Sequence, residues 1–171
     1  MMYTSAEAGK LVKKIEDELK RQMLTERKSY SFVVASGEDV ESLRPKYEFA
    51  ETQKNINELQ EKLRIVKHAI NQFNLTHTLP GFDGLTIDQA LIMLPQLNSR
   101  RTKYQEMINR LPKERISGIH SRNNLIEYNI ANYNIEEVEK AYKELTSHLA
   151  KMQLALDTVN TTEKMEIPVV E

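Results

Sequence analysis

Apolar side chains recur along this chain at alternating steps of three and four residues. Over about residues 4–27 the step links Ala8, Val12, Ile15 and Leu19. Over about 45–73 it links Phe49, Thr52, Ile56, Leu59, Leu63, Val66, Ile70 and Phe73. A third run, about 86–111, carries Ile87, Ala90, Leu94, Leu97, Arg101, Tyr104, Ile108 and Leu111. A fourth, about 134–160, carries Ile135, Val138, Tyr142, Leu145, Leu149, Met152, Leu156 and Val159. Stripes of this period are seams along which side-chain knobs of one helix enter holes of another. They predict a mainly α fold: an antiparallel four-helix, coiled-coil-like bundle of helical hairpins.

The ends of these runs carry their own signals. Thr4 with Glu7, Thr86 with Gln89, and Asn134 with Glu137 have capping-box spacing, in which two side chains satisfy orphan helix N–H groups reciprocally. Pro45 suits a first helical turn, whereas Pro95 lies inside the third run and removes the N–H that would bond to Leu91. A kink or break is expected there. Alternating residues predict short strands at about 30–35, 115–119 and 125–131, forming a small antiparallel β element at one end of the bundle. The tail after Asn160 is expected to be loosely held unless it docks on a neighbour.

Composition narrows the function classes. A chain of 171 residues suits one domain, taken as 1–171, with a real core. The absence of Cys excludes a disulfide scaffold, a thiolate metal site and a cysteine nucleophile. With 24 Lys+Arg against 25 Asp+Glu, the net charge of −1 argues against a general nucleic-acid binder. No stretch approaches the ~20 apolar residues that span a bilayer, and the first twenty residues lack the apolar run of a signal peptide. A cytoplasmic location, with no membrane partner, is the expectation.

Catalytic motifs are missing. Gly81 and Gly84 bracket Phe82-Asp83 in a turn with no Gly-Lys-Ser/Thr after it, so there is no phosphate loop. No H-E-x-x-H occurs, and His68, His77, His120 and His148 are scattered. Neither a catalytic set nor a metal or cofactor is expected.

Two polar features remain. Asn71 and Asn74 lie at the end of the second run, and Thr86 lies at the start of the third. Such groups either satisfy backbone at helix ends or form an anion pocket with the free N–H groups of a helix N-terminus. Arg101, on a seam between apolar neighbours, and Tyr104 would complete that pocket. The second feature is a basic stretch within 98–122: Arg100, Arg101, Lys103, Arg110, Lys113, Arg115 and Arg122. The fourth run is acidic, with Glu136, Glu137, Glu139 and Glu144. The two charge sets pair within the bundle or between subunits, or the basic set meets an anionic partner.

Several short stretches carry a resemblance: Ala6-Glu7-Ala8, Ile70-Asn71-x-x-Asn74, Asp83-Gly84-x-Thr86-Ile87-x-x-Ala90-Leu91, and the closing Asn160-Thr161-Thr162-Glu163. In these and in layout the chain resembles the septicolysin-like family of small bacterial helical proteins. Thr161 stands where that family tends to carry Trp. The resemblance implies a helical-hairpin fold and supplies no catalytic residues. Pore formation is not expected, since no helix shows an unusually broad apolar face.

The functional expectation is a non-enzymatic homo-oligomer, a homodimer or larger symmetric assembly, that acts by binding or scaffolding. The alternative is a binder of an anionic small molecule or nucleotide at Asn71, Asn74, Thr86, Arg101 and Tyr104. A further alternative is RNA or DNA contact through Arg100, Arg110, Lys113, Arg115 and Arg122.

Overall fold

A computed structural model describes residues 1–116 and 126–168. The described residues are mainly helical, 67% helix, with five helices and two small antiparallel strand pairs among them. The order is β1 (Met2–Thr4), α1 (Ser5–Ser29), α2 (Val40–Leu43), α3 (Phe49–Thr76), α4 (Ile87–Ile108), β2 (Lys113–Arg115), β3 (Tyr128–Ile130), α5 (Ile135–Thr162) and β4 (Lys164–Glu166). The chain divides into two compact units, Met1–His77 with Thr158–Glu171, and Thr78–Asp157.

In the first unit α1 and α3 form an antiparallel hairpin. Thr4 and Glu7 close the expected capping box at the start of α1. The seam then delivers Ala8 and Ile15 from α1, and Ile56, Val66 and Phe73 from α3, to the core. Each of these side chains larger than alanine contributes about 1.5–3 kcal/mol when fully removed from water. Lys67 and Glu16 bridge the pair at 2.7 Å on the solvent side.

The strand pair of this unit joins the chain's two ends. β1 runs antiparallel to β4, with Met2 opposite Glu166 and Thr4 opposite Lys164. Beyond the register, the Met1 amino group donates to the Ile167 carbonyl and Ile167 N–H donates back to Met1, both at 2.9 Å. Met165 and Ile167 are buried. This part of the tail is therefore docked, held by backbone pairing and by two apolar anchors.

The alternation at 30–35 does not make a strand. Residues 31–35 are irregular, although Phe32 and Val34 are half-buried and Val33 is 95% exposed. One-sided burial matches the alternation, but among the described residues no neighbouring strand supplies hydrogen bonds. The segment instead closes through Ala35 and Glu38, with Gly37 at φ +95°. α3 begins at Phe49, four residues after Pro45, and its N-cap Glu48 makes no side-chain cap.

In the second unit α4 and α5 run antiparallel through the β2–β3 ribbon. Tyr133, just before α5, donates to the Met107 carbonyl near the end of α4 at 2.8 Å. Phe82, ahead of α4, meets His148 on α5 edge-on at 5.5 Å. Thr86 and Gln89 form the second capping box. Asn134 caps α5 differently, its side chain accepting from Glu136 N–H at 2.9 Å. Ile87, Ala90 and Leu97, with Val138, Leu145, Leu149, Met152 and Leu156, are buried. α4 continues through Pro95 without a break. Pro95 is exposed, so water can reach the carbonyl it leaves without an intrahelical partner.

The expected strand at 115–119 is β2, at Lys113–Arg115, and the one at 125–131 is the shorter β3. Lys113 faces Ile130 and Arg115 faces Tyr128. The parts of both predicted strands within 117–125, with the turn between them, lie outside the described residues. No helix among the described residues is long and apolar enough to cross a membrane.

Candidate functional site

The α1 seam changes character halfway along the helix. Beyond Leu19 the same steps reach Gln22, Glu26 and Ser29, which remain half-buried. In the antiparallel partner the stripe correspondingly passes from Ile56 to Thr52. Apolar packing thus gives way to polar groups where α1 ends and α3 begins. Polar residues on a seam give up burial energy and commonly encode register or a site.

These residues line a cavity of about 390 Å³ that also takes in Thr25, Tyr47 and Asn55. Its charged rim is Lys46, Glu48 and Glu51. Glu26 is the hub. Its Oε1 accepts from the Tyr47 hydroxyl at 2.9 Å and from the Gln53 amide at 2.5 Å, whereas Oε2 has no hydrogen bond among the described residues. Desolvation first, and then the bond to the Glu26 carboxylate, hold the Tyr47 phenol above its ordinary range. With Glu26, Glu48 and Glu51 against Lys46, the wall carries a net excess of two negative charges, three minus one. The cavity offers carboxylate acceptors and the hydroxyls of Thr25, Ser29, Tyr47 and Thr52. Among the described residues no group of three or more His, Asp and Glu side chains is placed to hold a metal ion.

Asn71, Asn74, Thr86, Arg101 and Tyr104, expected together as a pocket, are divided between the two units. Asn71 and Asn74 belong to the first unit, whereas Thr86, Arg101 and Tyr104 belong to the second. Thr86 and Arg101 alone are fifteen residues apart on one helix, roughly 22 Å at ~1.5 Å per residue. The Thr86 hydroxyl is already taken by Gln89 N–H. Arg101 is exposed and Tyr104 half-buried. Nor do the two amides cap α3. That role falls to Thr76, which donates to the Gln72 carbonyl at 2.8 Å, and to the His77 ring, whose Nδ1 lies 3.0 Å from the Phe73 carbonyl. The His77 ring stacks on Phe73 at 3.9 Å.

The basic stretch is laid out on the surface of the second unit. Arg100, Arg110, Lys113 and Arg115 are exposed, and Lys113 Nζ stands 4.1 Å over the Tyr128 ring. Arg122 lies outside the described residues. Reading the seam alone missed the Glu26 cavity, because the pattern stops looking hydrophobic at Leu19. Carrying the same step onward to three polar residues was the available signal.

No protein-family model matches the chain, and no curated protein matches it. Among solved structures it is similar to the crystal structure of a functionally unknown conserved protein from Corynebacterium diphtheriae. The TM-score is 0.63 at 16% sequence identity, over 97% of this chain and 100% of that one. The likeness is one of fold.

Proposed function

We propose that this protein acts by binding rather than by catalysis, as a cytoplasmic, coiled-coil-like helical scaffold that associates with a second copy of itself. The observation that supports this reading most directly is a set of unsatisfied surfaces within the second unit. Arg100, Arg101, Arg110 and Arg115 form no ion pair among the described residues, and neither do Glu136, Glu137, Glu139 and Glu144. Among the described residues the two charge sets therefore do not pair within one chain. A two-fold contact places each basic surface against the acidic surface of the other copy, twice over.

Apolar area accompanies the charges. Leu111 is 59% exposed, Ile126 60% and Ile130 64%. On the β2–β3 ribbon the directly opposed pairs place Ile130 and Tyr128 on the face of Lys113 and Arg115. A free two-stranded ribbon is marginal in water and gains from being covered. Exposed ion pairs contribute ~0–1 kcal/mol each, so the apolar face supplies affinity while the charges set partner and register. The septicolysin-like resemblance, with its helical hairpins and no catalytic residues, agrees with a binding role.

Sedimentation velocity at micromolar concentration tests the reading. A dimer or larger species is expected at low salt, weakening at high salt. Tyr128→Ser with Ile130→Ser is expected to shift the protein to monomer with its helicity unchanged. A strict monomer at every salt concentration rejects the assembly.

The unpaired arginines also favour a second reading, contact with RNA or DNA. That contact would weaken steeply with salt and with Arg100→Ala or Arg115→Ala.

A further inference from the structure

The Glu26 cavity lies in the first unit and has no part in the self-association just described. Three properties bear on what it can hold. Its floor occupies seam positions that carry apolar side chains farther along the same hairpin: Gln22, Glu26 and Ser29 continue the line of Ile15 and Leu19. Its volume, about 390 Å³, falls within the ~300–1,000 Å³ range of small-molecule sites. Its charges do not cancel, with three carboxylates facing Lys46.

The hydrogen bonding within the cavity is one-sided. Tyr47 and Gln53 both donate to Oε1 of Glu26, which fixes the carboxylate group and leaves Oε2 without a donor. A carboxylate held in this way needs no rearrangement to accept a further, charged donor, and such preorganisation favours binding. Charge-assisted hydrogen bonds to an ammonium or guanidinium group are stronger than neutral ones. The hydroxyls of Thr25, Ser29 and Thr52 complete a lining that accepts N–H groups.

We infer that this cavity is a binding site for a small organic cation carrying primary ammonium or guanidinium groups, with Glu26 as its principal anchor.

The test is calorimetric titration of the full chain at low ionic strength with putrescine, spermidine and agmatine, and with citrate as an anionic control. Saturable one-to-one binding of at least one cation is expected, with none for citrate. Glu26→Gln keeps the shape and removes the charge, and it is expected to weaken binding at least tenfold. Tyr47→Phe, which frees the carboxylate to rotate, should weaken it severalfold. Glu16→Gln, which breaks only the exposed pair with Lys67, should leave it unchanged. Helicity by circular dichroism and the melting temperature establish that each variant is folded. Should Glu26→Gln fail to fold, the Tyr47→Phe and Glu16→Gln comparison carries the test. The site is overturned if no cation saturates at millimolar concentration, or if the affinity is the same in Glu26→Gln or Tyr47→Phe as in the wild type. A dimer that binds no cation would reject the cavity and leave the scaffold reading intact; a cation-binding monomer would do the reverse.

Discussion

Thr4 and Glu7 show how much of a helix start rests on two side chains. Thr4 N–H donates to Glu7 Oε2 at 2.9 Å, and Glu7 N–H donates to the Thr4 hydroxyl at 3.2 Å. The backbone N–H of Thr4 first, and then its hydroxyl, hold the Glu7 carboxyl below the ordinary 4.5. Because the folded value is depressed, the stabilisation is present at neutral pH and is lost as pH falls below about 4.5. An NMR titration of the Glu7 carboxyl carbon is expected to give a midpoint below 4.5. In Thr4→Val the midpoint should return only part of the way, since the larger contributor is the backbone donor. A wild-type midpoint at or above 4.5 would mean that the box does not persist in solution. This contact was legible from a three-residue spacing alone, because both partners belong to one turn of one helix. Arg101 is the opposite case. Its seam position implied a buried or ligand-facing charge, yet it is exposed, since the core of α4 thins after Leu97, the last fully buried residue of that helix.

Among elements, the helices were predictable and the strands only in part: β2 and β3 fall at or beside expected strands, whereas β1 and β4 were not anticipated. α1, α3, α4 and α5 each bury residues named by the three-and-four step, because a helical stripe records its own packing face over many turns. Strands of three residues record almost nothing. β1 and β4 pair across 160 or more residues of sequence, whereas the alternating stretch at 31–35 has no strand partner among the described residues. The docked tail gives a direct prediction. Ile167 is 1% exposed, so Ile167→Ala is expected to cost about 2–5 kcal/mol, the range for large-to-small changes in a core. Denaturant unfolding measures this, and a loss below ~0.5 kcal/mol would show the tail to be undocked in solution.

At the scale of the whole molecule, a net charge of −1 conceals a segregated surface. Arginines near the end of α4 and on β2, and glutamates on α5, form no ion pair among the described residues. If these meet across a two-fold contact, charge reversal should be rescuable. A chain with Arg110→Glu and Arg115→Glu is expected to be monomeric alone, as is one with Glu136→Lys and Glu137→Lys. Mixed together they should form a heterodimer, detectable by light scattering. Failure of the mixture to associate, with each variant folded and the wild type dimeric, would place the interface elsewhere.

The sequence by itself determined the helical seams, the caps at Thr4 and Thr86 and the absence of catalytic motifs, all of which are properties of residues close together in the chain. Tertiary structure decided which polar groups share a site. The Tyr47 hydroxyl and Gln53 amide meet Glu26 only because α1 and α3 run antiparallel, while Thr86 and Arg101 stay apart because one helix holds them at a fixed distance. Local hydrogen bonding and periodicity are written within a few turns of chain. Convergence of side chains from separate elements depends on how those elements pack, and no short stretch of sequence encodes that.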